Sequence, residues 1–502
     1  MPDPAPRLDA RTLAALPAAI RRPAYDRAAL GIATGHLGVG AFHRCHQAEY
    51  MDELLASGLS RTGLFGVNLR PPALGPLLGR QDGLYTRTLR DGAGEETRVV
   101  GSVLRVADGA AAAVGLIADP AITTVTLTVT EKAYCHVPAT GELDEARPEV
   151  AADLAAPPGE PPASLPGVLV AGLRRRAAAG AGPLNLISCD NIEGNGGVLS
   201  RVVRGFAGRA APGLAGWIAD NVAFPATMVD RIVPASAPAD LDALAARLGL
   251  RDEAAVFGEP FRQWVIEDAF RAPRPRWEAA GAQVVGDVAP FVLIKMRVLN
   301  AAQTMLALTG ALSGHAFTHQ AAADPALAGP VVRALAEETL PHLPPAAGMS
   351  PGAYLASSLA RIANTGIAHR CHQIATDTSQ KIRQRLLDPI RACRAAGRPH
   401  PGLTRGVAAW VAYLACSEGA FGARWPVSDP VMPRLAPCLA QAGGDIGAVA
   451  RATLGMADVF GADLSADGGF AAAVAAAARE LLAATAGTGA GPRPVAEKPP
   501  DG

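Results

Sequence analysis

The sequence predicts an α/β fold: a mainly parallel sheet with helices on its faces, followed by a mostly α-helical C-terminal region. Three observations predict it. Short apolar runs bounded by Gly or Pro alternate with helical stretches as far as about residue 290, the pattern of parallel strands joined by helices. From Ile294 onward apolar residues recur at helical spacing and no strand-like run appears. Gly38-Val39-Gly40 stands where a first strand would hand over to a helix, which lets backbone amides approach a pyrophosphate.

The elements follow in order. Residues 1–30 read as a leader whose prolines and mixed charges lack the positive flank and apolar stretch of a secretory signal. GIATGHLGVGAF then supplies a strand and its turn, although ATGHL is polar for a buried strand, and HRCHQAEYMDELLASG continues at helical spacing. Further strand-like runs are GLFGVNL (63–69), stopped by Arg70-Pro71-Pro72, then VVGSVLRV (99–106), TTVTLTV (123–129) and PLNLISCD (183–190). Residues 137–182, rich in Ala, Pro and Gly, read as an insertion with one helix at VLVAGLRRRAAA. The expected division is a nucleotide-binding domain over 31–288, a helical domain over 289–488 and a disordered low-complexity tail over 489–502. In a parallel sheet of this kind, ligands gather at the carboxyl ends of the strands.

Composition narrows the function. The 46 basic and 46 acidic residues of this 502-residue chain cancel, which removes the broad attraction that nucleic acid or an anionic membrane would need. No run approaches the roughly 18 apolar residues of a membrane span. Seven scattered cysteines without a CxxC pair read as reduced thiols of a cytoplasmic protein. Only Lys132, Lys295, Lys381 and Lys498 are lysines, against 42 arginines. In an arginine-rich background, a lysine kept inside an ordered segment is a candidate for work a guanidinium cannot do. Guanidinium stays protonated, whereas a desolvated amine can fall from about 10.4 to roughly 7–8 and act as a base.

Lys295 stands out among them because Phe291, Val292, Leu293, Ile294 and Met296 surround it with apolar side chains. At 100° per residue, Asn300 and Gln303 lie about 140° and 80° from it, within one broad helix face. Asn191, in ISCDNIEGNGG, follows a strand end; ordinary turn chemistry would also explain it. Asp230-Arg231, after another apolar run, suits a substrate contact and a structural ion pair equally. His43, Cys45 and His46, with His369, Cys371 and His372 of a second HRCHQ, are zinc-ligand types. Their spacing argues against a metal, because a Cys two residues after a helical His points elsewhere. At the end of the second strand, Asn68 could bond a ribose and Arg70 could accommodate a 2′-phosphate, which leaves NAD and NADP both open.

GVGAFHRCHQAEY (38–50), QDGLYT (81–86), TVTEKAYC (128–135), SCDN (188–191), FPATMVDRIVP (224–234), QWVIED (263–268), KMRVLN (295–300) and HRCHQIATDTSQK (369–381) together resemble the mannitol dehydrogenase family, over roughly residues 30–480. That family comprises polyol-specific long-chain dehydrogenases, with mannitol 2-dehydrogenase and fructuronate reductase among them. The resemblance implies a Rossmann-like NAD domain, a helical C-terminal domain, an active site between them and zinc-independent catalysis. The catalytic residues it implies are Lys295 as general acid/base, with Asn191 and Asn300 as donors to the developing alkoxide. It implies cofactor contacts from Gly38, Val39, Gly40, Ala41, Phe42, Arg44, Asn68, Arg70, Thr130 and Lys132, and substrate contacts from Asp230, Arg231, Gln303, His369, Arg370 and Lys381. The expected partner is a sugar alcohol or sugar acid, handled by a monomer or small homo-oligomer.

The chain departs from the family pattern at Gln303, where a histidine is usual; glutamine bonds a hydroxyl but cannot titrate near neutrality. A catalytically weakened cofactor-binding paralogue is therefore the second reading, and a zinc enzyme the third. QWVIED and RPRWEAAGAQVVGDVAPF lean towards the fructuronate-reductase side.

Overall fold

A computed structural model describes residues 6–69, 74–157, 159–417, 421–422 and 424–486. The chain divides into two compact units, one up to Ala289 and the other from Pro290. Arg70 and the tail expected to be disordered lie outside the described residues.

Among its described residues the first unit carries twelve strands: β1 (Gly31–Leu37), β2 (Thr62–Asn68), β3 (Tyr85–Asp91), β4 (Gly94–Val100), β5 (Val103–Asp108), β6 (Thr124–Leu127), β7 (Leu184–Ser188), β8 (Val222–Ala223), β9 (Thr227–Asp230), β10 (Val256–Gly258), β11 (Gln263–Glu267) and β12 (Gln283–Val285). Six of them form a parallel sheet in the order β5-β2-β1-β6-β7-β8. Counted along the chain this is 3-2-1-4-5-6, the doubly wound Rossmann order, and its switch point falls between β1 and β6.

Both faces of that sheet are covered, so its strands are apolar on both sides. Leu184 and Leu186 join a cluster with helices Ala110–Ala118, Leu165–Ala178 and Asn195–Ala210, while Ile187 joins the opposite cluster with Tyr50, Met51, Leu54, Trp264 and Trp277. The alternation is the period of two that a strand imposes. A third cluster packs Leu8, Leu16 and Ile20 against Leu244, Leu248 and Phe257, so residues 6–30 are part of this unit rather than a loose leader.

Two sequence expectations change. VVGSVLRV is two strands: β4 pairs antiparallel with β3, and β5 joins the main sheet. The break falls at Gly101-Ser102, where a Cβ on Gly101 would lie 2.6 Å from Pro23 and the Ser102 hydroxyl donates to the Ala48 carbonyl. The polar run ATGHL is a central buried strand. It tolerates His36 because that ring is fully hydrogen-bonded, Nδ1 to the Thr126 hydroxyl at 2.7 Å and Nε2 to the Gly38 carbonyl at 3.0 Å.

The second unit is helical, with no strand among its described residues. Its first helix runs from Ala289 to Leu312 and is long and apolar enough to cross a membrane, yet 78% of its most apolar window is buried inside the protein. It is the core helix of this unit. Between Met296 and Asn300 it opens into a wide i→i+5 turn, and Leu335–Thr339 and Arg383–Leu387 form two more.

Candidate functional site

At the switch point the chain leaves β1 through Gly38, whose φ of +91° favours glycine. A Cβ there would lie 2.0 Å from the Thr128 carbonyl oxygen, so the turn is drawn tightly against the end of β6. Gly40 faces the other way: a Cβ on it would meet only the Gly38 oxygen, at 3.9 Å. The turn therefore has one packed side and one open side. Ala41 and Phe42, both half-buried, begin the helix Ala41–Cys45 with amides that have no helical acceptor. A cradle without side chains, edged by unspent amides, fits a dinucleotide pyrophosphate.

Three expected cofactor contacts have other work. Asn68 accepts the Val39 amide at 2.9 Å and donates to Asp108 Oδ1 at 3.1 Å, so its amide holds the glycine turn. The Arg44 guanidinium is buried and donates to the Val39 carbonyl at 2.6 Å, bracing the turn from within. Thr130, with φ +72°, is shaped by Asp190, which takes the Val129 and Thr130 amides at 3.0 and 3.1 Å and the Tyr134 hydroxyl at 2.7 Å. Burial pushes the Asp190 carboxyl up against the pull of those bonds. Asp108 and Asp190 were both missed from sequence. The signal for each was its position, the last residue of β5 and two residues past the end of β7. Lys132 is exposed in the turn Glu131–Tyr134, and Asn191 is exposed in the loop after β7.

Arg231 makes the ion pair that the sequence offered beside a substrate contact. Its side chain is 1% exposed, ion-paired with Glu49 and donating to the carbonyls of Cys45 and Glu259, so no substrate can reach it. Glu49 also pairs with Arg87 at 2.9 Å. Burial would raise the Glu49 carboxyl, but Arg231, Arg87, Arg98 and Arg262 hold it down to about 2. Asp230 is buried at the end of β9, opposite Gln263.

The first HRCHQ packs beneath the glycine turn. His43 stacks on His36 with ring centroids 3.4 Å apart, and His46 Nε2 bonds the Gln263 carbonyl at 2.9 Å. Burial pushes the Cys45 thiol up to about 11 and the Cys371 thiol to about 12, so neither is a thiolate near neutrality. Among the described residues no three His, Cys, Asp or Glu side chains group to hold a metal ion.

In the second unit the wide turn re-aims the central helix. Lys295 is 5% and Asn300 7% exposed, while from Val298 to Leu312 every residue except the half-buried Gln303 is buried. An i→i+5 turn advances roughly 80° per residue instead of 100°, so five such residues bring Asn300 to about 40° from Lys295 and Gln303 to about 20° on the other side. By this arithmetic the three polar side chains fall on a narrower stripe than an unbroken helix would give them. Arg385, from the wide turn Arg383–Leu387, donates to the Thr304 hydroxyl at 2.6 Å and reaches the Asn300 carbonyl at 3.5 Å. It is a further residue that sequence reasoning missed.

The second HRCHQ lies in the same unit. Lys381 Nζ donates to the Thr376 carbonyl at 2.7 Å. His369 is lowered to about 4 by burial and by the charge of Lys381. Arg370 is exposed, its guanidinium 5.4 Å from the centroid of Phe317, and His372 Nδ1 meets the Tyr413 hydroxyl at 2.9 Å.

Two family models match, the mannitol dehydrogenase Rossmann domain over residues 34–279 and the mannitol dehydrogenase C-terminal domain over residues 287–482. The chain is 39% identical to D-mannonate oxidoreductase of Escherichia coli K12 over 470 residues, covering 92% of this chain and 96% of that protein. It is 39% identical to mannitol 2-dehydrogenase of Cereibacter sphaeroides over 400 residues, 78% of this chain and 83% of that one. Among solved structures, mannitol 2-dehydrogenase of Pseudomonas fluorescens, in a ternary complex with NAD and D-mannitol, aligns at TM-score 0.85 and 31% identity, covering 95% of this chain and 98% of its own.

Proposed function

The chain belongs to the mannitol dehydrogenase family, and from that premise we propose that it interconverts a secondary alcohol and a ketone, at C2 of an open-chain hexonate or polyol, with NAD as cofactor and Lys295 as general acid/base. The observation that carries the reading is the wide turn at Met296–Asn300, which by helix geometry brings Lys295, Asn300 and Gln303 towards one stripe of a buried helix. Interruptions of this kind recur at functional sites because they re-aim side chains at a cost that packing must cover.

When bound, NAD supplies the hydride acceptor for alcohol oxidation. The neutral Lys295 amine takes the hydroxyl proton as the carbon gives up its hydride, and the oxygen becomes a carbonyl. Asn300 and Asn191 are assigned amide donation to that oxygen, where negative charge develops; such donors favour the transition state over the bound alcohol. In reduction the Lys295 ammonium returns the proton. No metal is required, because the lysine handles the proton and the amides stabilise the charge.

Of the two substrate classes we favour the hexonate. Arg370 and Lys381 are the cations assigned to a carboxylate, while Arg231 is ion-paired with Glu49. At equal coverage of this chain, 92%, D-mannonate oxidoreductase is 39% identical and the mannitol 2-dehydrogenase of Aspergillus terreus 35%. Reduced-nicotinamide absorbance, followed over a panel of hexonates and polyols in the presence of a chelator, tests this. Turnover of mannonate and fructuronate ahead of mannitol and fructose is expected. Turnover of mannitol alone would overturn the substrate assignment, and chelator-sensitive turnover would overturn the metal-free mechanism.

Gln303 favours one second reading, a paralogue that binds cofactor with little turnover. Gln303→His restores a titratable ring on the Lys295 stripe and is expected to raise kcat/KM on the best panel substrate by about tenfold, the equivalent of one charge-assisted hydrogen bond. No gain, in an enzyme that is already active, would show that the glutamine is adapted to its substrate.

A further inference from the structure

We infer that Asp108 sets a preference for NAD over NADP, which rests on the dinucleotide reading of the glycine turn. Doubly wound folds commonly end the second strand in an acid that accepts from the ribose hydroxyls. Here that position is Asn68, which is neutral, and both ends of its amide are engaged. The negative charge sits one strand further out. Asp108 is the last residue of β5, in register with Asn68 across the parallel pair, and exposed.

The carboxylate is held in place. Its Oδ1 takes the Asn68 amide at 3.1 Å and the Gly75 backbone N–H at 3.1 Å. Gly75 leaves room for it, since a Cβ there would lie 2.3 Å from Oδ2. Among the described residues no donor bonds Oδ2, so one carboxylate oxygen remains available at the carboxyl edge of β2 and β5. A carboxylate can only accept, which forces the Asn68 NH2 towards Asp108 and the Asn68 oxygen towards the Val39 amide. The same charge therefore orients the side chain that holds the glycine turn and offers an acceptor to ribose hydroxyls. A 2′-phosphate brought to that corner would add further negative charge beside Asp108 and be repelled by it, against whatever attraction Arg70, the 2′-phosphate partner that the sequence offers, supplies.

Titration of the full-length protein with NADH and with NADPH, followed by nicotinamide fluorescence, tests this without requiring turnover. The wild type is expected to bind NADH at least about tenfold tighter than NADPH at low salt, with the gap narrowing as salt screens the repulsion. Asp108→Asn keeps an oxygen for Gly75 while removing the charge, and is expected to shrink the ratio of the two Kd values by about fivefold or more. An unchanged ratio in a variant that melts like the wild type would overturn the assignment. Should the variant fail to fold, the wild-type salt series decides: equal affinities, or a gap indifferent to salt, overturn it. Failure of the wild type to bind either cofactor would instead overturn the dinucleotide reading itself.

Discussion

Lys295→Ala is expected to lower kcat by about 10²- to 10⁴-fold, the usual contribution of a positioned acid or base, while the Kd for NADH stays within about twofold. The asymmetry follows from placement. Lys295 lies on the central helix of the second unit, whereas the glycine turn and its braces Arg44, Asn68 and Asp108 belong to the first. Loss of the amine removes the proton acceptor without disturbing the cradle. The pH dependence of alcohol oxidation should also lose the limb that reports deprotonation of the base, and a small primary amine added to the solution should restore part of the rate. A variant that folds, binds NADH and turns over at the wild-type rate would remove Lys295 from the mechanism. A variant that loses cofactor binding and turnover together would make it structural.

How much of this was legible depends on how local each cause is. The parallel sheet was readable because most of its strands are short apolar runs punctuated by Gly or Pro, and the glycine turn because its backbone path excludes side chains at Gly38. The phase of Lys295, Asn300 and Gln303 was readable only in outline. Angular arithmetic at 100° per residue assumes an unbroken helix, and the wide turn ends beside a partner 85 residues away, Arg385 reaching the Asn300 carbonyl. The sequence left Arg231 between an ion pair and a substrate contact for a similar reason. Sequence shows an arginine after a strand but not the buried Glu49 that claims it from 182 residues away. Asn68 was placed correctly at a strand end, yet its partners Val39 and Asp108 come from different segments. Hydrogen-bond partners that converge from separate segments leave no periodic trace. For that reason the residues that brace the site were harder to read than the site itself.

Acid should unfold the protein earlier than its carboxylates alone would. Burial lowers His36 and His46 to about 3 and His43 well below its ordinary value, so all three are neutral in the folded chain. In the unfolded chain each takes up a proton near pH 6.5. Between that pH and about 3 the unfolded state binds more protons, so stability falls as pH falls, by up to about 1.4 kcal/mol per pH unit for each histidine. Glu49 acts in the same direction but later: its folded value of about 2 against an ordinary 4.5 confines its loss to pH below 4.5. Three histidines falling together lower stability by about 4 kcal/mol per unit, enough to exhaust a typical domain stability of roughly 5–15 kcal/mol within about one to four units. Circular dichroism during acid titration should therefore show melting temperature dropping from about pH 6, with NAD slowing the drop because it binds only the folded form. His46→Gln, whose amide can still donate to the Gln263 carbonyl, should flatten the slope between pH 6 and 5 by about one third. A melting temperature that holds level down to pH 4.5 would mean that the histidines are protonated in the folded state. The stack of His43 on His36 would then have to open, and with it the bond from His36 that fixes the Gly38 carbonyl at the head of the cofactor turn.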